Sequence, residues 1–129
     1  MAVTFVWEER FNVGDEEINR QHQYMFELAN QIQLSNLDQA GKNIMRLFNY
    51  TREHFRHEEE HMQAIGFPDL KRHIELHNDL ISKLSEISLN FIKNDEELYR
   101  FKQFIFQWMT EHIMHEDLKY FSFDKEQKK

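Results

Sequence analysis

TREHFRHEEEHMQAIGFPDLKRHIELHNDL, residues 51–80, decides the fold. Within it Thr51, His54, Glu58, His61 and Ile65 recur at alternating steps of three and four, which sets them along one face of a helix. Gly66 and Pro68 then stop that helix, because glycine accepts the left-handed turn at a helix end and proline cannot continue the hydrogen-bond ladder. The same rhythm resumes at once in Leu70, His73, His77 and Leu80. Two helices joined by so short a stop must fold back on each other as antiparallel neighbours. Both stripes have the spacing of a buried face, yet imidazoles and a carboxylate interrupt them.

Outward from this hairpin the pattern extends in both directions. Upstream, Ile44 and Leu47 continue the first stripe, giving a helix over 38–65; downstream, Leu84, Ile87 and Phe91 continue the second, giving a helix over 69–90. An earlier helix over 18–34 carries Ile18, His22, Met25, Ala29 and Ile32 on one face. A fourth begins at Asn94, which with Glu97 three residues later reads as a capping box, and carries Leu98, Phe101, Ile105, Trp108, His112 and His115. The expected fold is all-α: an up-down-up-down four-helix bundle with near-parallel axes and an irregular N-terminal arm. The arm, residues 1–17, holds Trp7, Phe11 and Gly14 and is too aromatic to be a disordered tail. The chain is expected to be a single domain over 1–129, with the bundle at 18–118 and a C-terminal tail at 119–129 whose polar end, FDKEQKK, reads as frayed.

Composition narrows the function classes. Three Gly and one Pro leave little punctuation for a β fold, and the formal net charge of −7 argues against nucleic acid or an anionic membrane surface as partner. With no cysteine, disulfides, thiolate zinc sites and iron–sulfur clusters are excluded. No basic segment followed by an apolar run reads as a signal peptide, and no stretch of about 18 apolar residues could span a membrane, so a cytoplasmic location is expected. What stands out is eight His and twelve Phe in 129 residues.

The buried His are the chemistry. An imidazole or carboxylate buried without partners costs on the order of 2–7 kcal/mol, more for an ion, so repeating it on four helices of one small core calls for a compensating cation. His54 with Glu58, and His73 with His77, are i,i+4 pairs able to converge on one ion or on adjacent ions, with His22 and His112 joining from the other two helices. These N and O donors suit Fe, Mn, Zn or Cu, and affinity alone does not choose among them. His57 falls off the stripe and is expected in solvent, His61 is expected to be an ordinary hydrogen-bonded His, and His115 is the strongest competitor for a ligand role.

At these residues the chain resembles the hemerythrin family, its bacterial single-domain members in particular. The resemblance rests on INRQHQ around His22, HFRHEEEHM around His54 and Glu58, FPDLKRHIELH ending at His77, WMTEHIMHED from Trp108 to Asp117, and the opening Trp7, Phe11 and Val13. It implies two iron ions per chain joined by an oxo or hydroxo bridge. One iron would take His73, His77 and His112, the other His22 and His54, and Glu58 and Asp117 would bridge both. It implies reversible dioxygen binding, for transport, storage or delivery, and no enzymatic turnover. It also implies an oxygen pocket lined by Met25, Phe55, Trp108, Met109 and Ile113. Met25, Met109 and His61 stand where Leu is expected in relatives, which bears on pocket tightness because Met is flexible and oxidisable.

Two alternatives belong to other classes. A di-iron oxidase or peroxidase site would use two Glu-x-x-His motifs, and only Glu58 with His61 offers one here. Oxygen or redox sensing would need an unidentified protein partner, and nitric oxide or iron handling could use the same site. One conflict lies inside the resemblance. His112 and Asp117 are separated by about 140° on a regular α-helix, whereas Glu116 is better placed. The resemblance picks Asp117, so a π-type widening between them is expected, with Glu116 turned to solvent and His115 packed away from the irons.

Overall fold

A computed structural model describes residues 4–32, 37–89 and 93–127, with the side chains of 37 and 87–89 excepted. Four helical rods form the expected bundle: α1 (Glu16–Asn30), α2 (Leu37–Ile65), α3 (Leu70–Leu89), and a fourth rod of α4 (Asp95–Glu111), a π-helical segment (His112–Asp117) and α5 (Leu118–Gln127). α2 packs against both α1 and α3, and α5 reaches back to α2. The expected extensions of the first helix to Leu34 and of the third to Asn90 and Phe91 lie outside the described residues; the seam position Ile87 lies within α3, its side chain outside them. Within them α1 ends at Asn30, four residues earlier than its stripe suggested.

Each boundary has a local cause. Asp15 caps α1 by accepting from Ile18 N at 3.0 Å, and Glu16 and Glu17 set negative charge against the positive end of the helix. α2 ends in a Schellman turn: Phe67 N donates to Met62 O and Gly66 N to Gln63 O, with Gly66 at φ 69°. Phe67 then folds into the core against Tyr120 and His73, at ring separations of 5.6 and 6.2 Å. α4 is capped by Asn94, which accepts from Glu97 N at 2.9 Å. The Glu97 carboxylate accepts from Lys93 N, one residue beyond the usual capping-box partner, the N-cap Asn94.

The arm packs as expected. Phe5, Trp7 and Phe11 close on Phe26 of α1 with ring centroids 5.4–5.7 Å apart, and Phe5 meets Phe106 of α4 at 5.3 Å. Asn30 anchors the strand of arm by pairing with both backbone groups of Phe5. The carbonyls at the end of α1 are satisfied from distant helices: Lys102 Nζ donates to Ile32 O at 2.7 Å, and Asn43 Nδ2 to Gln31 O at 2.8 Å. That use of a buried lysine explains why a charged residue sits 7% exposed in the interior.

The C-terminal tail corrects the sequence reading. Residues 118–127 are helical, and Tyr120, Phe121 and Asp124 are buried, with Tyr120 wholly so. The composition of FDKEQKK hid this, because the buried aromatics Tyr120 and Phe121 lie just before it, while Lys125, Glu126 and Gln127 face water. Residues 128 and 129 lie outside the described residues.

Candidate metal centre

His22 of α1, His54 and Glu58 of α2, His73 and His77 of α3, and His112 and Asp117 of the π-helical segment all reach the same interior region, none more than 5% exposed. Their potential ligand atoms fall into two groups, His73, His77, His112 and Asp117 in one and His22, His54 and Glu58 in the other, with the atoms of each group within 4.8 Å of one another. The carboxylates join the groups. Asp117 sets Oδ1 3.0 Å from Nε2 of His73 and 3.0 Å from Nε2 of His112, and turns Oδ2 to 3.2 Å from Nε2 of His22. Glu58 Oε1 lies 3.2 Å from His54 Nε2 and 3.7 Å from His77 Nε2. His77 and His112 meet Nε2 to Nε2 at 3.1 Å. All five imidazoles therefore present the same nitrogen to the same two carboxylates.

The expected widening of the last helix is present. His112–Asp117 is π-helical, which adds backbone between the two residues and carries Asp117 round onto the His112 face. Glu116 turns out and pairs with Arg72 at 3.2 Å, and His115 is exposed. His57 is exposed as expected. His61 is a hydrogen-bonded His: its Nδ1 pairs with the Tyr120 hydroxyl and its Nε2 lies 3.9 Å from Asp124.

A neutral protein interior would not hold this arrangement unaided. Both ring nitrogens of His22, Nε2 of His54 and both oxygens of Glu58 are buried without a hydrogen-bond partner among the described residues. Each such group costs on the order of 1–3 kcal/mol. Burial drives His54 down to about 4 and His77 well below the ordinary imidazole value, so both stand neutral with a lone pair free to bind a cation. Burial, reinforced by the Asp117 charge, pushes Glu58 up to about 8. Burial also pushes Asp117 upward, but the electrostatic pull and hydrogen bond of His112 and the hydrogen bond of His73, both 3.0 Å from Oδ1, outweigh it and hold the carboxyl well below its usual range. One carboxylate is thus compensated and the other is not. Cations between the groups would satisfy Nε2 of His22 and His54 and both oxygens of Glu58 together, so the residues present fit a metal pair.

Sequence reasoning missed two residues behind this centre. Nδ1–H of His54 donates to Gln21 Oε1 at 2.5 Å, and Nδ1–H of His77 donates to Glu59 Oε2 at 2.8 Å. These bonds fix the tautomer that aims Nε2 inward. Their signal is faint: each sits beside a proposed ligand in sequence, but on a helix adjacent residues diverge and only the long side chains bring them back. Of the expected pocket residues, Phe55 stacks on His77 with centroids 3.6 Å apart, and Trp108 stacks on His112 at 4.5 Å. Met25, Met109 and Ile113 are buried in the core.

Comparison with known proteins points one way. A family described as Hemerythrin HHE cation binding domain matches residues 13–123. The bacteriohemerythrin of Clostridium acetobutylicum is 29% identical over 126 residues, covering 90% of this chain and 98% of that protein. A hemerythrin-like protein of Naegleria fowleri is 30% identical over 116 residues, 90% of each chain. A crystal structure of wild-type hemerythrin superposes with a TM-score of 0.81 over 92% of this chain and 95% of that one, at 23% identity, a likeness of fold.

Proposed function

Because the chain belongs to the hemerythrin family, and its buried His and carboxylate cluster is a metal-binding site, we propose that this site holds two iron ions and binds dioxygen reversibly. The role is transport, storage or delivery of oxygen, without turnover. His73, His77 and His112 would hold one ion, His22 and His54 the other, and Glu58 and Asp117 would be shared. The observation that carries this reading is the unequal division of imidazoles about two carboxylates: His73, His77 and His112 group with Asp117, whose Oδ1 faces His73 and His112, whereas only His22 and His54 group with Glu58, and Asp117 turns its other oxygen to His22. The position with fewer imidazoles is proposed to be the one that takes the exogenous ligand.

When bound, an iron pair supplies an open coordination position and two reversible electron equivalents. The protein supplies the rest. Its imidazole-rich donor set favours the ferrous state over the carboxylate-rich sets of oxidases. Phe55 and Trp108, stacked on His77 and His112, keep the donors dry and hold their ring planes. Met25, Met109 and Ile113 are proposed to complete the apolar wall over the open position. Among the described residues no helix is long and apolar enough to cross a membrane.

Metal analysis tests the reading. Protein reconstituted anaerobically with ferrous iron is expected to retain two irons per chain and no haem after gel filtration. Retention of a single zinc that iron cannot displace would refute it.

A further inference from the structure

The two outer hydrogen bonds are not equivalent. His77 donates to a carboxylate, Glu59 Oε2 at 2.8 Å, and His54 donates to an amide, Gln21 Oε1 at 2.5 Å. An imidazole whose N–H is held by an anionic acceptor is a more basic donor at its other nitrogen than one held by a neutral acceptor. From this pairing we infer that Glu59 and Gln21 set the two metal positions at different reduction potentials, the His73–His77–His112 position being the more easily oxidised. The inference rests on the di-iron reading above and adds an electronic polarity to it.

Both residues are reachable without disturbing the core. The Glu59 side chain is 26% exposed, and Gln21 lies on the outer flank of α1. They touch the imidazoles and not the metal positions, so they are positioning residues that act through His77 and His54. A purely orienting role and an electronic one separate cleanly, because Glu59→Gln keeps an oxygen to accept the Nδ1–H bond and removes only the charge.

The test is a redox titration followed optically and by electron paramagnetic resonance, on iron-loaded protein whose two irons per chain are first verified. In the wild type the two one-electron steps are expected to be resolved, with a mixed-valence form between them. Glu59→Gln is expected to raise the first step by about 59 mV, a tenfold loss in the stability of the mixed-valence form. Gln21→Glu is expected to lower the second step by a similar amount, so both variants narrow the interval but move its centre in opposite directions. Two loaded irons with unchanged steps in Glu59→Gln would overturn the inference and leave the di-iron reading standing. If Glu59→Gln does not load, Gln21→Glu decides alone, and an unchanged or raised second step overturns it. A wild type without two irons defeats the reading itself, and the inference with it, before any potential is measured.

Discussion

Asp117 lies five residues beyond His112, yet its Oδ1 stands 3.0 Å from His112 Nε2, because the chain between them is π-helical. On a regular helix the two would diverge by about 140°. The widened turn therefore selects Asp117 over Glu116, which the same turn sends out to Arg72. Asp117→Ala is expected to abolish metal retention. Glu116→Ala should retain metal and cost no more than about 1 kcal/mol, the worth of a surface ion pair. Metal content and thermal unfolding of the two variants check this, and the reverse pattern would place the wrong carboxylate at the centre.

Removing a proposed ligand should be felt chiefly through the metal. His54→Ala or His73→Ala is expected to lose the ion and the stabilisation that mass action supplies when only the native state binds it. His57→Ala, on the exposed face of α2, should keep both within about 0.5 kcal/mol. Melting curves with and without ferrous iron make the comparison; loss of iron in His57→Ala alone would refute the assignment.

The metal-free protein should show an optimum in its stability against pH. His54 and His77 are depressed by burial, His54 to about 4 from an ordinary 6.5. Below pH 6.5 the unfolded chain binds protons that the native state refuses, so stability falls as pH drops from 6.5 toward 4. Glu58 is raised by burial to about 8 from 4.5, so the native state holds a proton that the unfolded chain has lost, and stability falls as pH rises from 4.5 toward 8. Between 4.5 and 6.5 the two imidazoles outweigh the single carboxyl, which sets the optimum near pH 6.5. Denaturant melts of metal-free protein across this range measure it. A monotonic rise to pH 8 would contradict the charge state given to Glu58.

Met109 and Met25 are buried at 1% and 2% exposure and are proposed to wall the oxygen pocket. Met→Leu conserves volume, so Met109→Leu should load iron normally and cost less than about 1.5 kcal/mol. Its effect should fall on the dioxygen release rate, read by stopped-flow. Unchanged kinetics in both Met109→Leu and Met25→Leu would remove them from the pocket.

Much of this was legible in the sequence because helical period is a local property. The stripes through His22, His54, His73 and His112 marked four rods and their inward faces, and Gly66 with Pro68 marked the turn that the Schellman bonds now explain. The π-helical segment was legible for another reason: two residues that had to meet could not do so on a regular helix. What escaped depends on reach across the fold. α1 ends at Asn30, where Lys102 and Asn43 from other helices take the carbonyls of Ile32 and Gln31 just beyond it. The last helix persists to Gln127 because Tyr120 and Phe121 are buried, a tertiary gain that its polar end conceals. Gln21 and Glu59 were unreadable because their role depends on side-chain direction toward rings on other helices.

The most direct test of the central claim is an anaerobic dioxygen titration of the reduced, iron-loaded protein, followed by removal of the gas. The account predicts saturation at one dioxygen for every two irons, a new visible absorption band on binding, and return of the original reduced spectrum under vacuum through repeated cycles. Uptake of oxygen that cannot be recovered, with the centre oxidised after the first cycle or a reductant consumed over many turnovers, would contradict it.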